Sequence, residues 1–280
     1  MKDFAGKTAV ITGGASGIGR AMGELFLEQG MNVVLADIEQ DALDATVAAL
    51  GARGNCIGIV TDVSKADQVQ ALADGALASF GTIDVACNNA GVFTGGLLWE
   101  ETLADYQWLM DVNVWGVVHG VRTFVPIMKA QAGECHIVNT ASMAAVTAMP
   151  YSGIYHMTKH AVLALSESLY HELSFHAPHI GVSVLCPEAI NTGIATSERN
   201  RPASQAAITD SAERDLVMEA LAASVAGGIG PEVMAERVFK AMQEGQFYIL
   251  SDDAWRHSAN TRLDDVRDGR NPTFDPPIAG

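Results

Sequence analysis

The chain has 280 residues, 49% hydrophobic and 18% charged, a balance that suits one folded α/β domain with a large core. Against 33 acidic residues stand 17 basic ones with no basic cluster, so the formal charge of −16 argues against nucleic acid and anionic membrane as partners. No apolar run approaches the ~18 residues of a membrane span. Lys2 and Asp3 run at once into a strand-like segment, leaving no room for a signal peptide, and the four cysteines (56, 87, 135, 186) lack metal-type or CxxC spacing. A cytoplasmic protein with reduced core thiols is expected.

In chain order, Lys7 to Thr12 reads as a buried parallel strand. Thr12-Gly13-Gly14-Ala15-Ser16-Gly17-Ile18-Gly19 follows, and then a helical stripe of Ile18, Met22, Leu25 and Phe26. A strand, a glycine turn and a helix start together hold a pyrophosphate, because glycines admit close backbone N–H groups and the helix N-terminus favours an anion. The next strand, from Asn32, ends in Asp37, 18 residues after Gly19. A carboxylate there accepts hydrogen bonds from both hydroxyls of an adenosine ribose and repels a 2′-phosphate. No Arg or Lys stands at Ser16 or Ile38 to neutralise such a phosphate, so the expected cofactor is NAD rather than NADP.

The alternation continues with a helix over Ala42 to Leu50, a strand over Asn55 to Thr61 leading to Asp62-Val63, and a helix over Lys65 to Phe80. A strand over Ile83 to Cys87 then enters Asn88-Asn89-Ala90-Gly91. Strands alternating with helices imply a parallel sheet covered on both faces, with ligands outside the carboxyl ends of its strands. Thr12, Asp37, Asp62, Asn89 and Ser142 would share that edge.

Further on, Leu103 to Lys129 and Ser152 to Phe175 read as long helices. Tyr155 and Lys159 are four residues apart and share a helical face. A phenol is a poor base at neutral pH, but a fixed ammonium beside it favours the ionised form, and the Ser142 hydroxyl could hold the same substrate oxygen. Of the five tyrosines only Tyr155 has a Lys four residues on. His156 and His160 have a metal-compatible spacing but no third ligand nearby, so no metal is expected. A strand over Ile180 to Cys186 precedes Pro187-Glu188-Ala189-Ile190-Asn191-Thr192. Residues 193–230 read as a loose amphipathic cover ending in a glycine cluster that could act as a hinge. A helix over Pro231 to Gln243 and a strand over Phe247 to Leu250 complete a single domain, residues 1–251, and an extended tail is expected over 252–280.

Thr12 to Gly19 fits a TGxxxGxG pattern and stands in order with Asp62-Val63, Asn88-Asn89-Ala90-Gly91, Asn113, Ser142 and Tyr155-x-x-x-Lys159. Together these motifs resemble the short-chain dehydrogenase/reductase family in its compact branch, over about residues 5 to 250. The resemblance implies a doubly wound Rossmann-type fold with a seven-stranded parallel sheet, and NAD-linked exchange of hydride between a secondary alcohol and its ketone. It implies that Tyr155 exchanges the proton, Lys159 binds the nicotinamide ribose and lowers the phenol pKa, Ser142 orients the substrate oxygen, and Asn113 holds a relay water. It further implies cofactor contacts at Gly13, Ser16, Gly17, Ile18, Gly19, Asp37, Ile38, Asp62, Val63, Asn89, Ala90, Gly91, Pro187, Glu188, Ile190 and Thr192.

Glu188 departs from the family's usual Pro-Gly. Either its side chain points to solvent and the backbone contact survives, or it shapes the pocket or nicotinamide affinity. Met143, Met149, Tyr151, Phe93 and the cover, with its apolar Leu216, Val217, Leu221 and Val225, are expected to line a site for an apolar, bulky alcohol or ketone. Family members commonly pair the two long helices across a dimer axis, and small-residue stripes here (Val112, Gly116, Gly120; Ala161, Ala164, Ser168, Phe175) lead to the expectation of a homo-oligomer. A non-catalytic NAD-binding sensor or scaffold is the alternative. Such a protein would have no need of Asn113, Ser142, Tyr155 and Lys159.

Overall fold

The structure, a computed structural model, describes residues 1–205, 211–250 and 253–275. Its strands are β1 (Thr8–Thr12), β2 (Asn32–Asp37), β3 (Cys56–Val60), β4 (Val85–Asn88), β5 (Cys135–Thr140), β6 (Ile180–Leu185) and β7 (Tyr248–Ile249). They pair in parallel throughout, in the order β3-β2-β1-β4-β5-β6-β7. The helices are α1 (Gly17–Glu28), α2 (Gln40–Leu50), α3 (Ala66–Phe80), α4 (Leu103–Leu109), α5 (Gly116–Ala130), α6 (Gly153–His176), α7 (Ala212–Ala226), α8 (Pro231–Glu244) and α9 (Asp253–Asp268).

Successive strand residues serve opposite faces of the sheet. Ile11 and Leu35 join Met22 and Phe26 of α1 and Met234 and Val238 of α8. Val10 and Val34 join Val69 and Leu72 of α3, Phe124 of α5 and Leu169 of α6 on the other side. Strands buried on both faces read as continuous apolar runs, which is why they stand out in the sequence. The winding reverses between β1 and its neighbour β4, and that reversal opens a crevice at the carboxyl ends of the strands.

Four elements differ from the sequence expectation. The helix expected over Leu103 to Lys129 is interrupted by a π-helical turn, Met110–Trp115, in which the Gly116 N–H donates to the Asp111 carbonyl. Asn113 lies on this turn, and an inserted π residue re-aims the side chains around it, as often happens at functional sites. Secondly, the α5 stripe of small residues faces inward. A Cβ on Gly116 would lie 2.8 Å from Val63 Cγ2, and one on Gly120 would collide with the Asn88 amide, so these glycines admit neighbours within the chain. Thirdly, the glycine cluster near 228 is not a bare loop but bridges to the loop after β6: Ile229 accepts from Asn191 N at 2.9 Å and donates to Ala189 O at 3.1 Å.

Lastly, the tail is helical over α9 instead of extended. Its sequence is polar, but Trp255 and Ala259, one turn apart, pack on the cluster of Val162, Val184 and Cys186, and that apolar stripe fixes the helix. Asp265 secures the far end by accepting from Thr273 N at 2.7 Å and pairing with Arg270 at 3.1 Å. Residues 206–210 of the expected cover, and 251–252 and 276–280 around and beyond α9, lie outside the described residues.

Candidate active site

A cavity of about 440 Å³ occupies the crevice. Its floor is the loop after β1. Gly13 and Gly17 take the left-handed conformation at φ 64° and 51°, which side chains rarely adopt. A Cβ on Gly19 would strike the Gly13 carbonyl, and one on Gly13 would sit 3.0 Å from the Ala90 backbone. The loop is thus drawn tight against the segment after β4, an open cradle of backbone suited to a dinucleotide pyrophosphate. Gly13, Ser16, Gly17 and Ile18 line the cavity, while Gly19 lies beneath and permits the turn.

Side chains lock the neighbouring loops to that floor. Thr12 Oγ1 accepts from Asn89 N at 2.9 Å and Ala90 N at 3.1 Å, and Asn89 Nδ2 donates to the Thr12 carbonyl at 3.0 Å. Asp37, at the end of β2, accepts from Ala15 N at 3.0 Å and from Glu39 N at 3.1 Å, so the strand end is tied both to the glycine loop and to the start of α2. Asp62 accepts from Ser64 N at 3.0 Å. Asp37, Ile38, Asp62, Val63, Asn89, Ala90 and Gly91 all face the cavity, as do Pro187, Glu188, Ile190 and Thr192 from the loop after β6.

Ser142, Tyr155 and Lys159 meet on one side of the same cavity. Ser142 Oγ accepts from Ala144 N at 3.1 Å, capping a short helical turn. Lys159 is buried and donates to the Thr140 carbonyl at 3.1 Å, with its ammonium 5.5 Å from the Tyr155 ring centre. Burial pushes the Tyr155 phenol up to about 12, against a hydrogen bond with Ser142, and burial also brings Lys159 down to about 8. This differs from the expectation of a phenol made more acidic by its lysine. Desolvation is the largest cause of both shifts. Asn113 is fully buried behind this wall. Its side chain accepts from Val92 N at 2.8 Å and donates to Val92 O at 3.0 Å and to Thr158 Oγ1 at 3.2 Å, so it positions the Gly91–Val92 segment and is fully engaged in doing so.

Of the expected lining residues, Met149 and Phe93 face the cavity, and the Phe93 ring lies 5.0 Å from that of Tyr155. Met143 does not. It is buried in the core beside Ala141 and Val184, because its backbone is pinned to the Pro187 carbonyl at 3.0 Å. Tyr151 is also outside the cavity wall. It holds a left-handed backbone at φ 63°, and its carbonyl accepts from Gly96 N at 2.8 Å, which fixes the loop at 95–101. Glu188 does not point to solvent. Its side chain is 4% exposed, and Oε1 accepts from Arg237 of α8 at 3.3 Å. His156 and His160 spend their Nδ1–H groups on the Ser152 and His156 carbonyls, both at 2.9 Å.

Val217 and Leu221 of the expected cover line the cavity, and sequence reasoning missed Trp108 and Trp255, which complete the apolar wall. Trp255 was the signal available, a lone tryptophan in a polar tail. The cover that carries the later wall residues is fastened by a buried charge cluster. Arg201 pairs with Asp105 at 2.7 Å and lies 4.3 Å over the Trp108 ring, while Arg214 pairs with Glu198 and lies 3.7 Å from Glu101. Asp105 also closes the capping box of α4 with Thr102.

The described geometry is matched by known proteins. The family model described as short chain dehydrogenase matches residues 7–203. The chain is 33% identical to a CLA biosynthesis dehydrogenase/reductase of Lactiplantibacillus plantarum, over 90% of each chain. It is 35% identical to a 1-deoxy-11-beta-hydroxypentalenate dehydrogenase of Streptomyces exfoliatus, over 90% of this chain and 89% of that one. A solved short-chain dehydrogenase/reductase from Burkholderia phymatum, in complex with NAD, superposes with a TM-score of 0.96 at 45% identity and covers all of both chains. The protein belongs to the short-chain dehydrogenase family and is an oxidoreductase of the class that acts on alcohol groups.

Proposed function

We propose that the protein is an NAD-dependent dehydrogenase that interconverts an uncharged, largely apolar secondary alcohol and its ketone, with Tyr155 as general acid–base. One observation carries this reading: the Tyr155 and Ser142 hydroxyls and the Lys159 ammonium share a cavity with a glycine cradle, and the rest of its wall includes Phe93, Trp108, Met149, Leu221 and Trp255. The cradle suits a dinucleotide, since Gly13 and Gly17 take left-handed backbones on its surface and a Cβ on Gly19 would strike the Gly13 carbonyl that the turn brings close. NAD, when bound, supplies or accepts the hydride.

The chain's own residues supply the remainder. Asp37 would accept from both ribose hydroxyls, and Ile190 and Thr192 would hold the nicotinamide end. Ser142 donates to the substrate oxygen and fixes its direction. A phenol at about 12 is protonated at neutral pH, so Tyr155 holds the proton that a ketone oxygen takes up on reduction. For the alcohol, the phenol must first lose its proton, and Lys159 stabilises the resulting anion. Alcohol oxidation therefore quickens as pH rises, while ketone reduction is level around neutral pH and slows only where the phenol ionises. Asn113 acts through Val92, keeping Gly91 close to Lys159; a Cβ on Gly91 would lie 3.4 Å from Lys159 Nζ.

A spectrophotometric screen of NADH formation across secondary alcohols tests the activity. In Tyr155→Phe, kcat falls by roughly a hundredfold or more while NAD still binds. Full activity in that variant would remove the proposed acid–base. The same reading includes self-association through the outer face of α6, where Ala164, Ser168 and Phe175 are exposed; light scattering showing a monomer would overturn that part. No helix among the described residues is long and apolar enough to cross a membrane.

A further inference from the structure

Among the described residues lining the cavity, the Lys and Arg side chains are Lys159 and Arg199. Lys159 belongs to the catalytic side. Arg199 comes from the cover, where a 3₁₀ stretch (Gly193–Asn200) follows the loop after β6, and it reaches the far end beside Asp37 and Ile38. Its guanidinium is held at two edges. Nη1 donates to the Gly193 carbonyl at 3.1 Å, the Thr196 carbonyl at 2.9 Å and Thr196 Oγ1 at 3.1 Å. The other edge, Nε and Nη2, grips Glu39 Oε1 at 3.0 and 2.7 Å, and Asn200 Nδ2 donates to the same oxygen at 2.8 Å.

We infer that Glu39 is a second determinant of cofactor choice: its carboxylate occupies the one guanidinium edge that would otherwise receive a 2′-phosphate. The inference rests on the reading of Asp37 as the ribose ligand. Glu39 N is bonded to Asp37 Oδ1, so the two carboxylates adjoin at one end of the cavity. The Nε/Nη2 edge is the bidentate one that matches phosphate oxygens, and a phosphate would compete with Glu39 for it. Because Nη1 is anchored within the cover itself, Arg199 stays in position when Glu39 is neutralised. Its charge then passes to whatever anion enters. Glu39 stays ionised at neutral pH, since the Arg199 and Asn200 hydrogen bonds hold its carboxyl below the ordinary value.

Calorimetric binding of NAD+ and NADP+ to a stepwise series tests this. Asp37→Ser alone should admit NADP+ only weakly. Adding Glu39→Gln, which keeps shape and removes charge, should tighten NADP+ about tenfold further with little change for NAD+. Adding Arg199→Ala should abolish that gain, and Arg199→Gln replaces it if the alanine variant does not fold, with NAD+ binding reporting an intact cradle. The inference is overturned if the Glu39→Gln step leaves NADP+ affinity unchanged, or if the gain survives loss of Arg199. Wild-type protein binding NADP+ as tightly as NAD+ is a different failure, because it overturns the ribose reading itself.

Discussion

The floor of the cavity and its cover are built on opposite principles. The floor, formed by the loops after β1, β2 and β4, is held largely by backbone hydrogen bonds and short side chains: Gly14 N to the Ala36 carbonyl at 3.0 Å, the Thr12–Asn89 pair, and Ala15 N on Asp37. The cover is held by long charged side chains taken out of water. Arg201 and Arg214 are 3% and 6% exposed, and with Asp105, Glu101 and Glu198 they set three carboxylates against two guanidiniums among the described residues. Ladder hydrogen bonds of a sheet are indifferent to pH and salt. A buried ionic cluster depends on every partner being present, since removing one strands the others. The floor is therefore the fixed part of the site and the cover the conditional part.

The strongest way to break this contrast is Arg201→Met. It leaves Asp105 buried without its closest cation and takes away the guanidinium stacked on Trp108. Loss of one member of a buried pair costs about 3–5 kcal/mol, here drawn from docking of the cover rather than from the sheet. Limited proteolysis should cut within 193–226 much faster and KM for the alcohol should rise, while the thermal transition of the sheet moves little. Unchanged proteolysis would show that the apolar contacts of α7 alone hold the cover. On the floor, Gly19→Ala is the matching test. The new methyl meets the Gly13 carbonyl and lies 2.8 Å from Asn89 Nδ2. Overpacking of this kind costs about 1–3 kcal/mol, so NAD binding should weaken roughly 10- to 100-fold with the cover's protease resistance intact. Wild-type affinity in that variant would mean the floor yields more than its hydrogen bonds suggest.

The same contrast explains what could be read from the sequence. The floor is legible because its cause is local: glycines no more than six residues apart, and a carboxylate at the end of the very next strand. Tyr155 and Lys159 were legible for the same reason, sharing one helical face. The cover resists such reading because its partners are distant in the chain. Arg199 meets Glu39 across 160 residues, and Arg201 meets Asp105 across 96 (201 − 105). A charged residue in a polar stretch looks solvated until its partner is placed. The π turn carrying Asn113 left no periodicity to detect, and the burial of Glu188 against Arg237 depends on α8 lying beside the loop after β6. α9 reads as extended because, among its described side chains, Trp255 and Ala259 are the apolar ones that pack on the core, amid polar neighbours.

The finest test concerns the surplus carboxylate. With more acid than base in the cluster, burial and the neighbouring Asp105 raise Glu101 from 4.5 to about 7, against the pull of Arg214 and Arg201. Raised in the folded protein, this carboxyl binds a proton more tightly there than in the unfolded chain. Its contribution is therefore fully present below pH 4.5, declines as pH climbs through 7, and is absent above. Glu101→Gln keeps the shape and is neutral at every pH, so its Tm should vary less between pH 5 and 8 than that of the wild type. The two curves should converge at the acidic end, with the variant more stable at the alkaline end. The floor should not take part: the affinity for NAD in Glu101→Gln should follow the wild-type pH course. Parallel Tm curves would mean that Glu101 is already ionised beside Arg214, and that the cover is no more sensitive to protons than the sheet beneath it.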